Sequence, residues 1–122
     1  MPPSTTLSER FTRANRLTKP SDFRAVFNSA QRCADSNFLV LVKKNGLGFA
    51  RLGMAISKKT VKSAVARNKV KRLVRESFRL NRNSLKGLDL VVLARKNITY
   101  KDNCIIGKSL LTHWKRLSSC LN

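Results

Sequence analysis

Acidic side chains are scarce in this chain: six Asp and Glu stand against 26 Lys and Arg, a formal net charge of +20 on 122 residues. The six are Glu9, Asp22, Asp35, Glu76, Asp89 and Asp102, and no two share i, i+3 or i+4 spacing. A nuclease working by itself needs a carboxylate cluster for metal or a His/Lys acid–base pair. The chain has one histidine, His113, with no Cys, Asp or Glu beside it, and no Gly-rich phosphate loop. No residue is therefore assigned a catalytic or metal-ligating role. Three cysteines, Cys33, Cys104 and Cys120, are widely spaced and form no C-x-x-C. An odd set of this kind reads as free thiols in a reducing cytoplasm rather than as disulfides or a zinc site. No apolar run exceeds five residues, which excludes a spanning helix, and the opening MPPSTTLSERFTR lacks the apolar core of a secretory signal.

What is present is positive charge, spread from Arg10 to Arg116 rather than confined to a tail. The length suits one domain with a modest core. A polyanion is the expected partner, and RNA or DNA outranks a membrane surface because no terminal segment is strongly amphipathic. The charge is densest from Ser57 to Asn81, SKKTVKSAVARNKVKRLVRESFRLN, which has no Gly or Pro and reads as a helix from about Lys58. At 100° per residue, Ala66, Val70, Leu73, Val74 and Ser77 fall on one side. Arg67, Asn68, Lys71, Arg72, Arg75 and Arg79 fall on the other, with Glu76 the only acid. A solvated helix face normally mixes both signs. A face of one sign repels itself, so it is either merely solvated or is compensated by a nucleic-acid backbone, and the second reading explains more.

Residues 1–15 are polar, carry Pro2 and Pro3, and read as a flexible basic arm; residues 16–122 form the domain. Pro20-Ser21-Asp22 starts a helix running to about Ser29, with Ser21 or Asp22 as its cap and Phe23, Val26 and Phe27 on one side. Taken by themselves, the two phenylalanines read as core. Asn37–Lys44 is a strand, Asn45-Gly46-Leu47-Gly48 a turn consistent with a hairpin, and Arg51–Ser57 the next strand. In that strand Leu52, Met54 and Ile56 face a core, while Arg51, Gly53, Ala55 and Ser57 form a small, polar face. Leu88–Arg95 is apolar on both faces and so belongs at the centre of the sheet. A last helix, about Lys101–Ser119, carries Ile105, Ile106, Ser109, Leu110, Thr112, His113 and Leu117 at helical spacing. Trp114 is expected to pack it onto the sheet, and His113 to be structural. The order is that of an α+β sandwich.

The segments RLTKPSDFRAVF (Arg16–Phe27), RLGMAISKK (Arg51–Lys59), ARNKVKRLVRESFR and LDLVVLARK (Leu88–Lys96), in that order, resemble the protein subunit of bacterial ribonuclease P. The resemblance covers nearly the whole chain. Lys69 stands where the family usually has the second Arg of its Arg-Asn-Arg motif. It implies a four-stranded mixed sheet with three helices, ordered α-β-β-β-α-β-α, a short first strand near Arg32–Ala34, and a left-handed β-α-β crossover through the basic helix. It implies a protein that binds a large catalytic RNA and the 5′ leader of precursor tRNA, with Mg²⁺ held by the RNA and none by protein side chains. Carried over by position, Arg67, Asn68, Lys69, Lys71, Arg72, Arg75 and Arg79 would bind the RNA subunit. Phe23, Phe27, Ala55 and Lys59 would line the leader groove, reversing the core reading of the phenylalanines. A groove tyrosine that some members have near Leu41 is missing. The reading that competes is a basic ribosomal or nucleoid-type module with no enzymatic partner.

Overall fold

The computed structural model describes residues 16–17, 19–28, 31–96, 98 and 102–121, the side chains of 119–121 excepted. The basic arm, 1–15, and the side chain of Cys120 lie outside the described residues. The elements are α1 (Pro20–Phe27), β1 (Gln31–Ala34), β2 (Phe38–Lys44), β3 (Arg51–Ala55), α2 (Ala64–Asn81), a 3₁₀ turn (Arg82–Leu85), β4 (Leu88–Ala94) and α3 (Asn103–Leu121). The strands form one mixed sheet in the order β1-β2-β4-β3.

β4 takes the interior position that its two apolar faces require. It runs antiparallel to β2 and parallel to β3, to which α2 connects it. The hairpin expected between β2 and β3 does not form, because β4 stands between them. The linking residues instead pass over the start of β4, where Asn45 N–H donates to Gly87 O at 2.8 Å and Gly87 N–H to Phe49 O at 3.3 Å. Gly87 sits there at φ +81°, where a side chain would be strained. Local turn residues specified a reversal of direction; both apolar faces of β4 decided the pairing.

The sheet buries both faces. On one, Phe38, Val40, Val42, Leu90 and Val92 meet Val70, Val74 and Phe78 of α2 and Ile106, Leu110 and Trp114 of α3. On the other, Leu41 and Val91 lie beneath Leu17 and Val26, with Phe23, Leu39 and Leu93 packed around them. Leu41, where the tyrosine is missing, is thus core under α1. Trp114 joins helix to helix as well as to the sheet side: its indole N–H donates to Ser77 Oγ at 2.8 Å, and its ring meets Phe78 edge on at 6.3 Å. On α3, Ile105 and Thr112 face solvent rather than the core.

Helix starts differ from those expected. Neither Ser21 nor Asp22 caps α1: Lys19 is the N-cap, with no side-chain bond, and Pro20 begins the helix. α2 starts at Ala64, not Lys58. Ser57–Val61 instead closes a turn through Thr60 and Val61 N–H to Ser57 O, held by the fully buried Val61. Ser63 then caps α2, its Oγ accepting Ala66 N–H at 3.2 Å.

His113 is buried between β1 and α3, its Nδ1 3.1 Å from Cys33 Sγ and its Nε2 3.3 Å from Asp35 Oδ1. Burial pushes the Asp35 carboxyl up. Hydrogen bonds from Ser109 Oγ and from the Phe38 and Asn37 amides outweigh this and hold it below the ordinary 3.8. A carboxyl lowered on folding stabilises the protein above its unfolded value, and that contribution fades as pH falls through the lower folded value. The difference in melting temperature between the native protein and Asp35→Asn should therefore be largest near neutrality and shrink below about pH 4. Melting curves of both proteins across that range check it; a constant difference would contradict it.

Candidate nucleic-acid interface

α2 carries its charge on two separate fronts. Asn68 and Arg72 are exposed and Lys69 half-exposed on the side turned from the sheet, and Lys58, Lys59 and Lys62 of the preceding turn are exposed as well. Lys71 and Arg75 lie a quarter-turn round and look along the edge of β3, where they line a cavity of about 230 Å³ with Arg16, Leu17, Phe23, Leu52, Gly53 and Met54. Helical spacing puts Lys71, Arg72 and Arg75 on one face. The edge of β3 divides them.

Two members of the basic set are engaged within the protein. Arg67 Nη1 donates to the carbonyls of Val61 and Lys62 at 3.0 and 2.8 Å, tying the turn to the helix. Arg79 pairs with Glu76 one turn back, and that contact holds the Glu76 carboxyl below its ordinary range. Lys69 and Arg72 are the cations of α2 that combine outward position with no bond recorded inside the fold. The outward side also holds Val65 and Leu80, 80% and 68% exposed. It is therefore not uniformly polar.

The residues assigned to a groove do not come together as a set. Phe23 lines the cavity, but Phe27 is 42% exposed at the far end of α1, and Val26 is the residue that helix buries. Ala55 is half-buried at the end of β3 and Lys59 exposed in the turn; neither lines the cavity. The floor at Gly53 is not open either. A Cβ built on Gly53 would stand 2.7 Å from Phe23 Cε1 and Cζ, so the ring already rests on that glycine. The segment before α1 closes the strand edge, with Leu17 N–H donating to Leu52 O at 2.9 Å.

Arg51, at one end of the face read as small and polar, spends its charge inside the fold. Its Nε and Nη2 donate to the two oxygens of Asp89 at 2.8 and 2.6 Å, and Nη1 lies 3.4 Å from Asp22 Oδ2. The bond to Asp89 holds the guanidinium proton more firmly than usual. The spacing of Arg51 and Asp89 carries no hint of this pair, which only strand order brings side by side. Arg16, Lys71 and Arg75 as cavity residues were likewise not distinguished by periodicity. Among the described residues, no three His, Cys, Asp or Glu side chains gather as a metal ion requires.

A family model described as Ribonuclease P matches residues 11–118. A ribonuclease P protein component of Pseudomonas putida (strain GB-1) is 46% identical over 113 residues, covering 92% of this chain and 84% of that protein. One from Thioalkalivibrio sulfidiphilus is 44% identical over 117 residues, covering 95% and 98%. The RNase P protein of Staphylococcus aureus superposes with a TM-score of 0.77 at 31% identity, over 90% of this chain and all of that one. That of Thermotoga maritima, solved in complex with 1-(4-fluorophenyl)-2-thiourea, superposes at 0.75 with 37% identity, over 83% and 98%.

Proposed function

The chain belongs to the ribonuclease P protein family, and from that premise we propose that it divides its basic helix between two RNAs. It acts in maturation of the tRNA 5′ end, as part of an endoribonuclease holoenzyme with an RNA subunit. This sets aside the ribosomal or nucleoid-type alternative. In the proposed arrangement the outward front of α2, with Asn68, Lys69 and Arg72 and the neighbouring turn, docks on the RNA subunit. Phosphate contacts of this kind fix position and orientation without reading sequence. Arg67 supports the same surface from within the fold by holding the turn in place, and Arg79 extends it.

The second front receives the 5′ leader of precursor tRNA. The observation that carries this reading is the cavity at the β3 edge, which sets one aromatic ring, Phe23, beside three cations, Arg16, Lys71 and Arg75. A ring to stack on and cations along the backbone are what single-stranded RNA needs. Phe27 and Lys59 lie farther out on the path of a longer leader, and Ala55 on the strand below it.

Hydrolysis is assigned to the RNA subunit, with Mg²⁺ as its metal; no described cluster of protein side chains suits that ion. The cytoplasm as compartment belongs to the same proposal. It is supported by the free thiols Cys33 and Cys104 and by the lack, among the described residues, of a helix able to cross a membrane. Purified protein incubated with precursor tRNA and Mg²⁺ should leave the substrate intact, and cleavage at the mature 5′ end should begin on adding the RNA subunit. Cleavage before that addition would overturn the assignment.

A further inference from the structure

The helix that carries Phe23 has little of its own to hold it in place. α1 is eight residues long, its N-cap makes no side-chain bond, and Val26 is its one fully buried residue. Helices this short are marginal by themselves, so their position is set by what they touch. Farther along, Val26 packs with Leu41 and Val91, and at its first turn α1 meets Arg51 through Asp22.

Asp89 is 5% exposed on the interior strand β4, and a buried carboxylate is tolerated only when its oxygens are bonded. Arg51, its parallel neighbour on β3, supplies Nε and Nη2 as a fork, and Asn45 Nδ2 adds a third bond at 2.8 Å. The guanidinium is planar and rigid, so fixing two of its nitrogens on Asp89 also fixes the direction of the third. That third nitrogen, Nη1, meets Asp22 in the first turn of α1. Phe23 follows Asp22, and Gly53 follows Arg51 by two positions on the same strand face, about 7 Å along. The charge contact and the ring contact are therefore adjacent on both elements. With the ring against bare backbone at Gly53, its place depends closely on how α1 sits above β3.

We propose that Arg51, held by Asp89 and in turn holding Asp22, is the positioning residue that seats α1 on the sheet and fixes the Phe23 ring in the leader cleft. The inference rests on the leader reading above for its consequence, but the seating itself can be read without RNA. Arg51 touches no substrate. It acts through Phe23.

Removing Arg51 outright would strand Asp89 in the interior, so the informative variants are Asp22→Ala, which frees α1 and leaves Asp89 bonded, and Arg51→Lys, which keeps the cation but loses the fork. Two readouts are needed, with the melting temperature as control. In the free protein, NMR reports the ring current of Phe23 on the Gly53 Hα signals, with Phe23→Ala defining the shift without a ring. In the holoenzyme, dissociation constants are measured for precursor and for mature tRNA. Asp22→Ala should move the Gly53 Hα signals towards their Phe23→Ala positions and weaken precursor binding two- to five-fold, the span expected of a part-exposed ion pair. Arg51→Lys should do so more strongly, and neither should change mature tRNA binding. In a Phe23→Ala background, Asp22→Ala should cost nothing further, since both act through one ring. Unmoved Gly53 Hα signals in both variants would overturn the proposal, as would an additive loss in the double variant, which would mean that Asp22 and Arg51 act on RNA directly. If the signals move but Phe23→Ala leaves precursor affinity unchanged, the seating stands and the leader reading falls.

Discussion

Replacing Lys69 and Arg72 together by alanine should weaken binding of the RNA subunit on the order of 25- to 60-fold at 0.1 M salt, while leaving precursor discrimination by the assembled holoenzyme intact. Each cation on a phosphate releases counterions and adds about 0.7–0.9 to the slope of log affinity against log salt. Two such contacts add about 1.4–1.8, and the tenfold step from 1 M to 0.1 M salt converts that slope into the stated factor. Lys71→Ala with Arg75→Ala should give the opposite pattern, weakening precursor more than mature tRNA, because those side chains line the cavity beside Phe23. Arg72→Glu should be worse than Arg72→Ala, since repulsion replaces attraction. Arg67→Ala does not belong in this comparison. Its loss frees the Val61 and Lys62 carbonyls and so loosens the turn that carries Lys58, Lys59 and Lys62. Salt titrations of both double variants, each shown to melt as the native protein does, decide the matter. An unchanged slope for Lys69→Ala with Arg72→Ala would remove the outward front as the docking surface.

The division of α2 into two fronts shows where one-dimensional reading stops. Helical spacing identified the buried stripe through Val70 and Val74, but it stopped at Ser77 and left out Phe78, which is fully buried against Trp114. It also gathered Lys71, Arg72 and Arg75 on one face, correctly for the helix taken alone. Which of them meets which neighbour depends on where the sheet ends, and strand order is not a local property. The same limit explains the hairpin. Asn45-Gly46 looks like a turn and is one, with Gly46 at φ 69°, yet the strands on either side do not pair. Interior position was readable for β4 because both of its faces are apolar, and burial leaves a mark in composition. Arg51 and Asp89 are the contrary case. Two opposite charges, 38 residues apart, carry no pattern in the chain, and the sheet register alone makes them a pair. The Gly53 face reads from the sequence as small and polar. Smallness there serves close approach of a ring from the same chain.

That close approach makes Phe23 the residue whose loss should separate the two readings of its helix most sharply. Phe23→Ala is expected to weaken precursor tRNA binding by the holoenzyme roughly 5- to 100-fold, the equivalent of one base stacked on one aromatic ring. Mature tRNA has no leader, so its affinity should stay as it was. A core reading gives a different result. Truncating a fully buried Phe costs about 3–5 kcal/mol of stability, and both affinities would fall together as folded protein was lost. Phe23 is half-buried, packed beside Leu17, Val26, Leu41 and Val91, so some loss of stability is expected in either case, and the ratio of the two affinities decides. Gly53→Ala makes the complementary test because it keeps the ring and takes away its seat. A Cβ placed 2.7 Å from Phe23 Cε1 and Cζ cannot coexist with the ring where it stands, so the ring must leave that seat. Precursor affinity should then fall in the same direction as for Phe23→Ala, with mature tRNA affinity again unchanged. Should Phe23→Ala lower the melting temperature while the precursor-to-mature ratio stays native, the ring belongs to the core and the leader lies elsewhere.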